Sequence, residues 1–103
     1  MNMKKIVLLC AGGASTGMLV RKMLKIANNN GNDYDIIANS ISQVATVAAD
    51  ADVVLLGPQV SYQESLVKKD LPNIPVSSIS MMDYGMMNAE KIIKQAEELM
   101  EVK

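Results

Sequence analysis

Apolar and polar positions follow two periods along this chain. Ile6-Val7-Leu8-Leu9-Cys10 is an unbroken apolar run that stops at Gly12 and Gly13, as a strand covered on both faces does; with Lys4 and Lys5 it predicts a strand over 4–10. Over 15–30 the apolar residues Leu19, Met23, Ile26 and Ala27 recur at helical spacing. Val20 and Leu24 widen that stripe, and Arg21, Lys22 and Lys25 read as its solvated side. Asn28-Asn29-Asn30-Gly31-Asn32 stops the helix, because Asn and Gly accept the left-handed conformation of a C-terminal cap. A weaker strand pattern covers 34–39, and Ser42 can cap a short helix through Val44, Val47 and Ala48 that closes near Asp50.

Val53-Val54-Leu55-Leu56 is again apolar throughout, the pattern of a central parallel strand, and it ends at Gly57-Pro58-Gln59. There Gly57 permits close backbone approach and Pro58 fixes the chain as it enters the next helix. That helix carries Tyr62, Leu66 and Val67 on its apolar side and closes at Lys68-Lys69-Asp70, before the rigid segment Leu71-Pro72-Asn73-Ile74-Pro75. A fourth strand is expected over 76–79, then a loop or short turn through Met81-Met82-Asp83-Tyr84-Gly85-Met86-Met87. Asn88 caps a last helix built on Ile92, Ile93, Ala96, Leu99 and Met100.

Strands and helices therefore alternate four times, with connections long enough for right-handed crossovers. The expected fold class is α/β, a three-layer sandwich with a four-stranded parallel sheet of order 2-1-3-4 and helices on both faces. In that order the switch point falls between the first and third strands, which brings the Cys10 turn beside Gly57, Pro58 and Gln59.

Composition narrows the chemistry. At 103 residues the chain is read as one domain over 1–103, able to form a core without disulfide or metal staples. It has no Phe and no Trp, so Val, Ile, Leu, Ala and nine Met must fill the interior, and the cluster Met81, Met82, Met86 and Met87 with Tyr84 is read as core before docking surface. Ten basic against eleven acidic residues, a net charge of −1, give no pull toward nucleic acid or a membrane surface. One cysteine and no recognisable leader point to the cytoplasm, and no apolar run approaches the ~20 residues of a membrane span. With no histidine and one cysteine, a metal site is not expected, and no imidazole is present to activate a serine.

The candidate chemistry gathers at Cys10, at the carboxyl end of the first strand, where a loop and a helix N-terminus converge with free N–H groups. A lone cysteine is commonly just a small buried hydrophobe. Here the glycines and hydroxyls packed into the next seven residues weigh toward a reactive thiolate, since helix N-termini favour that form. Ala11, Gly12, Gly13, Ala14, Ser15, Thr16 and Gly17 are small enough for the backbone to curl around an oxyanion on the sulfur. Ser15 and Thr16 serve as helix caps, as hydroxyl donors, or as both. Gly12 and Gly17 have the spacing of a nucleotide phosphate loop, but Met18 and Leu19 stand where Lys and Ser or Thr are required, and no G-x-G-x-x-G occurs.

Val7-Leu8-Leu9-Cys10-Ala11-Gly12, the following Ser15-Thr16, and Leu55-Leu56-Gly57-Pro58-Gln59-Val60 with Tyr62 resemble the enzyme IIB component of the bacterial sugar phosphotransferase system, lactose/cellobiose family. The resemblance runs through most of the chain. It implies a phosphoryl carrier without a bound cofactor: Cys10 takes a phosphoryl group from a phosphohistidine of IIA and passes it to a β-glucoside or disaccharide of the cellobiose, chitobiose or lactose class held by the membrane permease IIC. It also implies that 11–17 form the phosphate loop and that Gly57, Pro58 and Gln59 are the adjacent loop. Ile37-Ala38-Asn39-Ser40 looks more like the lactose branch and Gly57 more like the cellobiose branch. Gly17 departs from the cellobiose-type loop, where a serine often follows the Ser-Thr pair. The rival is a low-molecular-weight cysteine phosphatase, whose Cys-x5-Arg pattern fails here because Thr16 occupies the arginine position. Asp83 would be its general acid, but reads more simply as a cap residue.

Overall fold

The structure is a computed structural model and describes residues 4–10, 14–31, 33–40, 42 and 48–100. In chain order its elements are β1 (Lys4–Cys10), α1 (Ala14–Asn29), β2 (Tyr34–Ser40), β3 (Val53–Leu56), a 3-10 turn (Pro58–Gln63) running into α2 (Glu64–Asp70), β4 (Val76–Ser78), α3 (Met81–Gly85) and α4 (Ala89–Met100). The four strands form one parallel sheet in the order β2-β1-β3-β4. This is the α/β sandwich and the strand order that the apolar runs predict. The helix expected over 42–50 falls largely outside the described residues.

Alternation along β1 and β3 explains why their apolar runs have no polar gaps. Ile6, Leu8, Val53 and Leu55 belong to a core shared with Leu19, Met23 and Ala27 of α1 and Ala89, Ile92, Ile93 and Ala96 of α4. Their neighbours Val7, Leu9, Val54 and Leu56 face the opposite side, where Val60 of the 3-10 turn, Val67 of α2 and Val76 pack with Ala48 and Ala51. A strand that feeds two cores has no face left for water.

The helix ends follow the expected chemistry. Gly31 takes φ +75° and donates its N–H to the Asn28 carbonyl at 3.1 Å, closing α1 in the left-handed cap conformation. Asn88 Oδ1 accepts from the Lys91 N–H at 3.3 Å and caps α4. Pro58 turns the chain after β3 into a 3-10 helix before α2 begins, so the helical register there starts tighter than the sequence suggests.

The methionine cluster corrects the core reading. Met81, Met82 and Met86 are more than two-thirds exposed, and Met87 and Tyr84 alone of that group pack against the core. The physical reason is the brevity of α3: five residues capped by Ser80 at the sheet's edge can turn only one side inward. Tyr62 and Leu66 are also exposed, leaving Val67 as the buried anchor of α2.

The Tyr34 hydroxyl at the start of β2 donates to Glu97 Oε2 on α4. Burial, then this bond, then the Glu97 charge push the tyrosine up from its ordinary value near 10. An unfolded chain ionises this phenol first, so the contribution is complete below the ordinary tyrosine range and declines as pH rises above it. Tyr34→Phe is expected to cost about 1–2 kcal/mol at neutral pH. It should also flatten the alkaline fall in stability relative to the parent, read from urea unfolding between neutrality and alkaline pH.

Candidate functional site

The strand order fixes where a site can form. After β1 the chain crosses to β2 on one side, and after β2 it returns past β1 to β3 on the other. The connections leaving the carboxyl ends of β1 and β3 therefore part in opposite directions and leave a crevice, the usual binding position in open α/β sheets. Cys10 ends β1 at that crevice. Its side chain is buried and in no disulfide.

The second loop stands where the sequence predicts it. The Gly57 N–H donates to the Leu9 carbonyl at 2.8 Å, and a Cβ on Gly57 would lie 3.6 Å from Cys10 Cβ. Gly57 has φ −62° and ψ 154°, ordinary extended backbone, so it is not a conformational requirement that selects glycine. The missing side chain leaves room instead: Gln59 Oε1 stands 3.1 Å from where that Cβ would be. The Gln59 amide is thus folded back toward Gly57, on the Cys10 side of the turn. Gly57→Ala is expected to fold with a stability change under about 1 kcal/mol, because only the end of a flexible side chain must yield. A shift of the Gln59 side-chain amide resonances, with an unchanged melting transition, would show it.

The turn is fastened at both ends. The Val60 N–H donates to the Gly57 carbonyl at 3.0 Å, Ser61 Oγ donates to the Pro58 carbonyl at 3.1 Å, and the Val60 side chain is buried. At its far end, Glu64 Oε1 accepts from Ser78 Oγ of β4 at 2.6 Å, and Lys68 Nζ lies 3.1 Å from Oε2. The Ser78 bond first, then Lys68, hold the Glu64 carboxyl below its usual range. Gln95 Nε2 of α4 donates to Ser77 Oγ at 3.1 Å and to the Ser78 carbonyl at 3.0 Å, bracing β4 from the other face.

Of the predicted phosphate loop, Ala11, Gly12 and Gly13 lie outside the described residues, as do the side chains of Ala14, Ser15 and Thr16. The helix nevertheless begins at Ala14, earlier than expected, so 14–17 are its first turn and not loop. The first four N–H groups of a helix lack internal partners. They stand at the positive end of a helix that starts four residues after Cys10, which is the setting for an anion. Gly17 has open space around its Cβ position.

Arg21 is exposed on α1 and stands outside the site's own turn. The Asp83 N–H donates to Ser80 Oγ at 3.1 Å, so Asp83 sits in the capped first turn of α3, in agreement with the cap reading. Sequence reasoning did not reach Ser40, which the β1/β2 register sets directly opposite Cys10. The strand pattern over 34–39 stops one residue short of Ser40, and the structure extends β2 to include it.

Comparison with known proteins decides the family. The model of the family described as "PTS system, Lactose/Cellobiose specific IIB subunit" matches residues 5–95. The chain belongs to this IIB family. Over 104 residues it is 43% identical to the PTS system cellobiose-specific EIIB component of Lactococcus lactis subsp. lactis (strain IL1403), covering 94% of this chain and 96% of that protein. Identity and coverage are the same for the galactose-specific EIIB component of Lactococcus lactis subsp. cremoris (strain MG1363). The solution structure of the cellobiose-specific IIB component from Borrelia burgdorferi superposes with a TM-score of 0.82 at 31% identity, covering 97% of this chain and 94% of that one. As a IIB component the protein is a phosphoryl carrier of a sugar phosphotransferase system, working with IIA and IIC components, and the phosphatase reading is not favoured. No helix among the described residues is long and apolar enough to cross a membrane.

Proposed function

We propose that residues 1–103 act as one cytoplasmic IIB unit in which Cys10 carries the phosphoryl group, between a phosphohistidine of IIA and a sugar held by the membrane component IIC. The observation that carries this reading is the position of Cys10, at the end of β1, beside Gly57, and four residues before a helix N-terminus. In the first transfer the Cys10 sulfur attacks phosphorus in line. The S–P bond forms as the N–P bond breaks, and the electron pair stays on the leaving imidazole nitrogen, which takes a proton. In the second, a sugar hydroxyl oxygen attacks the same phosphorus, the S–P bond breaks, the thiolate departs and the hydroxyl proton is lost to solvent. Such transfer is achieved by positioning and electrostatics. The backbone of Ala11, Gly12, Gly13, Ala14, Ser15, Thr16 and Gly17 supplies the donors, with Gly57, Pro58 and Gln59 as the opposite wall.

A carrier must hold roughly −1.5 to −2 charges without losing the group to water. The chain has no histidine to activate water and no arginine six residues beyond Cys10 to stabilise a hydrolytic transition state. Partners are proposed to meet the carboxyl edge of the sheet, where Met18, Tyr62, Met81 and Met82 are exposed on the segments that leave β1, β3 and β4. The acceptor sugar is assigned to the β-glucoside and β-linked disaccharide class, in keeping with the cellobiose-specific relatives. Incubation with a phosphohistidine-bearing IIA protein of a lactose/cellobiose system, followed by intact-mass measurement, should show gain of one phosphoryl group. The same preparation should not turn over an aryl phosphate; steady turnover of that substrate, with no phosphoryl retained, would overturn the carrier reading.

A further inference from the structure

We propose that Ser40, oriented by Ser42, is a hydroxyl donor to the phosphoryl group on Cys10, adding a contact from the neighbouring strand to the backbone cradle. The inference rests on the phosphocysteine reading above. Three observations carry it. The register pairs Cys10 with Ser40 across β1 and β2, so their backbones are one inter-strand spacing apart, ~4.8 Å. Side chains of paired residues share a face, and the residues two and four positions earlier, Leu8 and Ile6 on β1 and Ile36 on β2, all belong to the core beneath α1 and α4. Cys10 and Ser40 therefore both point to the side of the sheet that α1 crosses as it leaves the Cys10 turn.

The third observation concerns the proton. A serine hydroxyl has one donor and two acceptor positions. Ser40 Oγ lies 3.0 Å from Ser42 Oγ and accepts from the Ser42 N–H at 3.4 Å. When Ser42 donates through both groups, the acceptor positions of Ser40 are filled and its own O–H is left to donate outward. Ser40 is half-buried and Ser42 exposed, so the pair reaches solvent at the carboxyl end of β2, beside Cys10, and a phosphoryl oxygen on the Cys10 sulfur has the anionic charge that strengthens such a bond. No covalent step is added: Ser40 stabilises the charged group and remains protonated throughout.

The test measures how the phosphoryl group divides between a phosphohistidine-bearing IIA protein and this chain at equilibrium, by intact mass, for the parent, Ser40→Ala, Ser40→Thr, Ser42→Ala and Asn39→Ala. Ser40→Ala should move the equilibrium about tenfold toward IIA. Ser40→Thr, which keeps a hydroxyl and suits a strand, should restore most of it, and Ser42→Ala should move it about twofold. Asn39→Ala, one position off and on the opposite face, should leave it unchanged. If Ser40→Ala does not fold, the Ser42→Ala shift at an exposed side chain decides the matter. A parent charged on Cys10 with Ser40→Ala and Ser42→Ala equal to it would overturn this inference and leave the phosphocysteine standing. A parent that takes no phosphoryl group on Cys10 would overturn both.

Discussion

Cys10→Ser is expected to abolish phosphoryl carriage, lowering sugar phosphorylation in a reconstituted system by ~10³-fold or more. Replacing sulfur by oxygen removes a soft, polarisable nucleophile and leaves an alcohol that needs a base. The chain has no histidine to be that base. The Ser variant keeps the side chain's size, but it places a hydroxyl where the cysteine is buried, which costs about 1–3 kcal/mol unless the hydroxyl finds a partner. Cys10→Ala avoids that cost and should lose activity to the same degree. Agreement of the two variants in activity, with circular dichroism like the parent's, separates lost chemistry from lost fold. Substantial sugar phosphorylation by Cys10→Ala would move the carrier to another residue.

The second large effect lies in the scaffold. Leu55→Ala should destabilise the chain by about 2–5 kcal/mol. Leu55 is fully buried in β3, between β1 and β4, and packs in the core shared by α1 and α4. That is a large share of the roughly 5–15 kcal/mol that holds a domain of this size together, and it corresponds to a melting temperature lower by more than about 10 °C. The matched control is Leu66→Ala, the same deletion at an exposed position on α2, which should change stability by no more than about 0.5 kcal/mol. Because β3 runs directly into Gly57, a destabilised Leu55 variant should also lose order in the second loop before it loses the sheet.

Much of this arrangement was legible because β1 and β3 serve two cores at once. Ile6 through Leu9 and Val53 through Leu56 are apolar at every position, and that alone marks central parallel strands and places their ends together. The position of Cys10 beside Gly57 followed from strand order and required no side-chain detail. What the linear pattern lacked was a sense of direction for short pieces. Met81, Met82 and Met86 read as core because the chain has no Phe or Trp, yet a five-residue helix turns only Tyr84 and the following Met87 inward. The Glu64 bond to Ser78 and the Tyr34 bond to Glu97 join residues from different elements, and the Gln59 amide over Gly57 is a side-chain conformation within one turn. No periodicity encodes them. Ser40 is intermediate: thirty positions separate it from Cys10, and only counting both strands from their first pair makes them neighbours.

The most direct test charges the native chain from a phosphohistidine-bearing IIA protein and locates the phosphoryl group by ³¹P NMR together with tandem mass spectrometry of the peptides. The account predicts a single S-phosphorylated residue, Cys10, protected from thiol alkylation while charged and alkylated again once a cellobiose-class sugar and IIC have discharged it. A phosphoryl group on the oxygen of Ser15 or Thr16, or a Cys10 thiol that alkylates equally before and after charging, would contradict it.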